Sequence, residues 1–246
     1  MICCSTDAAF ETASVPVRNQ ALAYSASELF TGEISKTPNS EFSTSRMYIM
    51  PLDLERININ IGHTTGSFSI AFAGDYFGAK DIAPNIDYSE YIKAVKVSFQ
   101  PTEKIKLGAQ FKNYRLLSVY SGGGFGFDFG LQTRLLPQFN LTLELRDLAN
   151  RFNYSTGKIE KKPLKTVVLA EYDFRENSSF YIAISNGKIA IGNEFYPVPD
   201  FAIRVGLNDG YWSGGIGIDK EKWCFEYALN NSLLGNQQSI SVQRSF

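Results

Sequence analysis

The sequence predicts an all-β fold, an antiparallel transmembrane β-barrel of about 14 strands with a short plug-like or irregular N-terminal segment. Three observations predict it. From residue 46 onward, apolar side chains recur at every second position, the period of a strand with two unlike faces. Most of the segments so defined have the ~9–11 residues that a tilted strand needs to cross a bilayer. The connections alternate between a uniformly short set and a set that holds every long loop, as in barrels with short periplasmic turns and longer outer loops.

Taken in order, a first strand falls near Arg46–Met50, and Ile57, Ile59 and Ile61 then alternate with Asn58, Asn60 and Gly62. Phe68, Ile70 and Phe72 alternate with Ser69 and Ala71, and Val95, Val97 and Phe99 with Lys96 and Ser98. Leu107, Ala109 and Phe111 oppose Lys106, Gly108, Gln110 and Lys112. Phe125, Phe127 and Phe129 oppose Gly126, Asp128 and Gly130, while Leu141, Leu143 and Leu145 oppose Thr142, Glu144 and Arg146. Val168, Ala170 and Tyr172 oppose Glu171, a strand blurred by Val167 and Leu169. The alternation continues through Phe180–Ile184, Ile189–Ile191, Phe201–Leu207, Ile216–Ile218 and Trp223–Leu229, to a last strand that ends on Phe246. Arg244 interrupts that apolar series at a depth where a long side chain can snorkel.

The turns fit the strands. Thr65-Gly66, Asn186-Gly187 and Asn208-Asp209-Gly210 are hairpin signals, because glycine accepts the positive φ of a tight primed turn. Pro101, Pro137, Pro197 and Pro199 are expected between strands, where no ladder N–H is lost. The long connections are Gly78–Tyr88, Leu116–Gly124, Asn150–Pro163 and Asn230–Gln237. Residues 46–246 thus read as the barrel. Residues 1–45 read as a plug or periplasmic extension, with a candidate helix at Asn19–Phe30 and a polar linker over 31–45.

Composition narrows the function. With 44% hydrophobic and 14% aromatic residues the chain is not disordered. A net charge of −1 argues against a nucleic-acid partner. One histidine and three cysteines leave no expected metal site, and no cofactor motif occurs. Cys3, Cys4 and Cys224 read as buried or unpaired thiols. Mean hydropathy is −0.14 and no run of 18 apolar residues exists, which excludes a membrane helix but not a barrel, half of whose strand residues are polar. No signal peptide is visible, since the start lacks both a basic region and an apolar stretch. Alternation alone leaves two packed sheets of a soluble β-sandwich binding module as an alternative.

The run Gly124–Phe152, with its G-x-G-x-D-x-G strand and P-x-x-N-L-x-L turn, resembles the middle of FadL-like barrels of the PorV and UPF-type subgroup. Phe195–Gly210, the following YWSGGIGI and the closing strand match that family's last hairpins, so the resemblance spans roughly Ser89–Phe246. It implies a relationship to long-chain fatty-acid transporters, fourteen-stranded barrels with an N-terminal plug. Their N-P-A-G-L segment has no counterpart here; Asn19–Phe30 stands in its place.

No catalytic constellation is evident, and the protein is expected not to be an enzyme. His63, beside a hairpin turn and with no identifiable partner, reads as a surface residue. Gly122-Gly123-Gly124-Phe125-Gly126 opens a strand rather than a helix, so it reads as a flexible loop and not a phosphate cradle. The charges expected on the inner face are Lys106, Asp128, Glu144, Arg146, Glu171, Arg204 and Glu226, which either line an aqueous or substrate-bearing lumen or pair with one another. The resemblance implies passage or binding of hydrophobic small molecules in the outer membrane. The alternative is a non-transporting, PorV-like barrel that anchors or shuttles exported proteins. Expected partners are outer-membrane lipid with hydrophobic small molecules or secretion-system proteins.

Overall fold

Period-2 segments form strands because each can bury one face and expose the other, and a closed ring of them leaves no unpaired edge. The computed structural model describes residues 18, 21, 22, 39–50, 54–83, 86–232 and 235–246. The strands are β1 (Asn39–Met50), β2 (Leu54–Thr65), β3 (Phe68–Ala83), β4 (Ile86–Thr102), β5 (Ile105–Leu117), β6 (Gly122–Leu136) and β7 (Phe139–Tyr154). They continue with β8 (Ile159–Glu160), β9 (Lys165–Arg175), β10 (Ser178–Ser185), β11 (Lys188–Val198), β12 (Phe201–Asn208), β13 (Tyr211–Lys220), β14 (Trp223–Ser232) and β15 (Gly235–Ser245). Each strand pairs antiparallel with its sequence neighbours, except that β7 passes over the two-residue β8 to pair with β9. β1 pairs with β15 along Glu41–Met50 and Asn236–Ser245, which closes the sheet into a fourteen-stranded barrel with β8 outside it.

Burial decides which face is apolar. The exposed positions carry Ile61 (55% exposed), Phe72 (56%) and Val205 (56%), whereas Glu144 and Glu194 (1% each), Asp128 (4%) and Arg204 (4%) are buried. Apolar side chains point out and charges point in, the reverse of a water-soluble barrel and the arrangement of one that spans a membrane. A single closed sheet also disposes of the soluble sandwich.

The strands differ from expectation at their ends. β1 begins at Asn39, so the residues read as a polar linker up to 45 include half a strand: Ser43 and Ser45 face inward, where polar residues belong. The long connections are largely ladder. β3 runs to Ala83, β5 to Leu117, β7 to Tyr154 and β14 to Ser232, so β3–β7 are 13–17 residues long while β10 and β12 have 8. One wall therefore stands taller than the other at the long-loop end. Pro101 and Pro197 lie within strand ends rather than between strands, each at a break in register where no ladder bond is required. The turns Asn186-Gly187 and Asp209-Gly210 have positive φ at both positions (49° and 79°, 51° and 85°), as a type I′ hairpin needs. Arg244 is outward, its guanidinium 4.9 Å from the Trp223 ring centroid and 4.8 Å from that of Phe246.

Candidate functional site

The inward positions of β2–β7 are rich in charge, and several of the charges form ion pairs. On β2 and β3 the Arg56 Nε donates to Asp75 Oδ1 at 2.9 Å. Across β5, β6 and β7 the Lys112 ammonium lies 2.8 Å from Asp128 Oδ2 and 3.3 Å from Asp147 Oδ1. Asp147, at φ 58°, marks a bulge: Phe127 and Phe129 on β6 oppose Ala149 and Leu145 on β7, so β7 carries two extra residues against Asp128. The Asp128 carboxylate fills the gap and accepts the Asp147 N–H at 2.8 Å. An insertion of two preserves the alternation, which is why the outward Leu145 and Ala149 share a face across it.

Above the bulge the inner face turns apolar. Ile92, Tyr114, Leu116 and Phe152 form a buried cluster, with Tyr88 and Tyr154 against it. The inward positions of β6 here are Gly122, Gly124 and Gly126, and the neighbouring rings occupy their space. A Cβ on Gly126 would lie 2.7 Å from the Tyr114 hydroxyl, and one on Gly122 2.5 Å from the Phe152 ring. The glycine run is thus a bare strand beneath two rings and not a flexible loop.

The opposite wall is different. Val167, Leu169, Tyr181, Ala183, Ala190, Ala202 and Ala228 are buried on inward positions of β9–β14. This explains the blurred alternation at Val167 and Leu169: that strand is apolar on both faces. Within this wall sits one ionic network. Glu194 accepts from Arg204 Nε at 2.6 Å, and Arg204 Nη1 reaches Glu226 Oε1 at 3.2 Å. To do so the guanidinium crosses Gly217, where a Cβ would sit 2.7 Å from Arg204 Nη1.

The described residues of the N-terminal segment reach the same network from within the lumen. Arg18 donates to Glu194 at 3.0 and 2.6 Å and to the Tyr181 hydroxyl at 2.8 Å. The Ser213 hydroxyl donates to the Ala21 carbonyl at 2.9 Å. Ala21 packs on Ala228, and Leu22 on Tyr181. A Cβ on Gly215 would lie 2.6 Å from that of Ala21, so Gly215 makes room for the segment.

Of the charges singled out in the sequence, Lys106, Asp128, Glu144 and Arg204 are buried, and Arg146, Glu171 and Glu226 are partly so, all at inward positions. They form no single site. Glu144 accepts from Arg146 Nη2 at 2.7 Å, and Glu171 accepts from Asn140 at 3.2 Å. Arg204 and Glu226 belong to the Glu194 network. Arg18, Glu194 and Tyr181 were not singled out; their union spans 176 and 163 residues and has no local sequence signal. His63 does have a partner. Its Nδ1 is 2.9 Å from Ser40 Oγ on the outer surface, and among the described residues no carboxylate or amide holds Nε2, as a catalytic pair would need. Cys3 and Cys4 lie outside the described residues.

A closed fourteen-stranded wall with an occupied lumen invites comparison with solved barrels. The "CymD monoaromatic hydrocarbon channel" superposes with a TM-score of 0.66 at 10% identity, over 94% of this chain and 97% of that one. A Pseudomonas aeruginosa FadL homologue gives 0.64 at 10% identity, over 94% and 98%. The fold is FadL-like. The P. putida toluene transporter TodX aligns with a TM-score of 0.53 at 10% identity, over 85% of this chain and 88% of that one. No protein-family model matches the sequence, and no curated protein matches it.

Proposed function

We propose that the protein is an outer-membrane channel that admits hydrophobic small molecules, with the N-terminal segment seated in its lumen as a removable stopper. The observation that carries this reading is the division of the lumen into unlike walls. A wall on β2–β7 that carries ion pairs, Arg56 with Asp75 and Lys112 with Asp128 and Asp147, holds the barrel's shape, because such pairs stay put. A wall that includes the small and apolar Val167, Leu169, Ala183, Ala190, Ala202 and Ala228 offers an apolar surface beside the paired Glu194–Arg204–Glu226 network. Ala21 and Leu22 rest against that second wall, so the stopper covers the same surface a passing molecule would use. The fold shared with a monoaromatic hydrocarbon channel and a toluene transporter supports the reading.

The segment's hold on Glu194 favours a second reading, a barrel that stays shut and, like PorV-type members, anchors or shuttles exported proteins. One experiment separates the two. Protein reconstituted in vesicles is given labelled toluene and a labelled long-chain fatty acid. Saturable uptake of either supports the channel. Absence of uptake, with the N-terminal segment resistant to cleavage throughout, refutes the channel and leaves the closed barrel.

A further inference from the structure

The outward surface of β4–β7 changes character at one height. Val95, Phe111, Phe127 and Ala149 form one cross-strand row, and the next row outward is Lys93, Asn113, Phe125 and Arg151. One row further, Tyr91 faces Arg115. Lys93, Arg115 and Arg151 are exposed, and among the described residues no carboxylate pairs with any of them. Arg151 donates to Asn153 at 3.1 Å. The acidic groups of these strands, Glu90, Asp128, Glu144 and Asp147, are buried inside; the outward one, Asp87, lies six residues beyond Lys93 on β4.

The height is informative. From Ile105 to Arg115 β5 advances ten residues. At ~3.4 Å per residue and a ~40° tilt this rises ~26 Å, the thickness of the ~25 Å apolar band of a membrane barrel. The cations therefore stand where lipid headgroups begin. Tyr76 and Tyr91, with ring centroids 5.3 Å apart, lie in the same row as Arg115 and suit that depth. With strands ~4.8 Å apart and a two-residue offset of ~6.8 Å, the Lys93 and Arg115 backbones are ~8 Å apart. Two long cationic side chains at that spacing can close on one phosphate group.

We propose that this face of the tall wall binds the phosphorylated headgroup of an outer-leaflet glycolipid, with Lys93, Arg115 and Arg151 on its phosphate oxygens. The proposal rests on the outer-membrane placement argued above. A guanidinium meets phosphate through paired N–H donors and an ammonium as a point charge, so both cation types serve. Uncompensated cations in a lipid surface are otherwise costly to leave side by side, and an anionic headgroup is the partner that the bilayer supplies at this depth.

The test uses the full chain in detergent micelles, mixed with diphosphorylated lipid A or the same lipid after phosphatase treatment, with bound lipid counted by native mass spectrometry. The phosphorylated lipid is retained and the dephosphorylated one is not. At about fivefold per cation, K93Q/R115Q/R151Q weakens binding by about a hundredfold. K104Q/R134Q/K222Q, which removes three exposed cations from the opposite rim, leaves it unchanged. Equal binding of the two lipids, wild-type binding by the first variant, or equal loss in both variants overturns the proposal. Migration of unheated and boiled samples on gels reports folding; should the triple variant misfold, R115Q alone carries the test at about fivefold. A wild-type chain with no heat-dependent shift would instead sink the membrane-barrel reading itself.

Discussion

Replacing Arg18 with alanine is expected to loosen the N-terminal segment without damaging the wall that holds it. Arg18 makes two bonds to Glu194 and one to Tyr181. A hydrogen bond to a charged group contributes ~1.5–3 kcal/mol when shielded from water. The Arg18 side chain is 39% exposed, so solvent screening reduces the whole set to ~1–2 kcal/mol. At ~1.4 kcal/mol per factor of ten, the released segment becomes about 5–30 times more populated. Glu194 keeps Arg204 at 2.6 Å and the Tyr181 hydroxyl at 3.1 Å, so the barrel stays folded. Glu194→Ala is a harsher change: Arg18 and Arg204 lose their shared acceptor, and the wall is destabilised by ~3–5 kcal/mol. The assay is protease cleavage of the N-terminal segment in reconstituted vesicles, run beside toluene uptake. Arg18→Ala should raise both, with heat-dependent gel migration intact. Wild-type cleavage together with wild-type uptake would refute the view that Arg18 latches a stopper.

Val97, on the lipid face three cross-strand rows below Arg115, should tolerate arginine poorly, at ~2–4 kcal/mol near the bilayer midplane, whereas Leu117→Arg beyond the rim should cost ~0–1 kcal/mol; urea titration in vesicles compares them. Gly124→Ala should destabilise by ~1–3 kcal/mol, because its Cβ would lie 2.3 Å from the Arg151 carbonyl, while Gly74→Ala meets nothing within 4 Å and should be neutral in the same titration. Burial holds the Lys162 ammonium, in the outer connection before β9, down at about 8 from its usual 10.5. Below pH 8 the group is charged both folded and unfolded and its burial penalty is present in full. Between about pH 8 and 10.5 the folded form binds fewer protons, so local stability rises. Hydrogen-exchange protection across residues 155–164, taken relative to the intrinsic rate at each pH, should rise over that window, and Lys162→Met should flatten the change.

Much of the barrel was legible because alternation is a local property. Strands such as Ile105–Leu117 declare themselves within a dozen residues, and the short turns set their order. What stayed hidden is whatever depends on depth or on distant partners. Beyond Lys112 the faces exchange character: Tyr114 and Leu116 point inward while Asn113 and Arg115 point out, since the strand has left the hydrocarbon and its outer face meets polar surroundings. A reading tuned to one polarity sees loops there. Sequence spacing could not reveal the two-residue bulge at Asp147, which leaves the alternation in step on both sides. Inward charges could be named from their alternation, but their pairings could not. Neither could the union of Arg18 with Glu194, which exists only once the sheet has closed around the segment.

The pairing of β1 with β15 has a kinetic meaning. Its partners, Glu41 with Ser245 and Met50 with Asn236, lie near opposite ends of the sheet's course along the chain. Every other ladder in the ring can zip as a hairpin with its neighbour, but this one must wait for about two hundred residues to be assembled first, at the loop-closure cost such separation carries. Until then the sheet has two bare edges and an apolar outer face, a species prone to pair with other chains. The step most exposed to mispairing is therefore the last one, the joining of β1 to β15, where the Phe246 N–H closes on the Ser40 carbonyl at 2.8 Å.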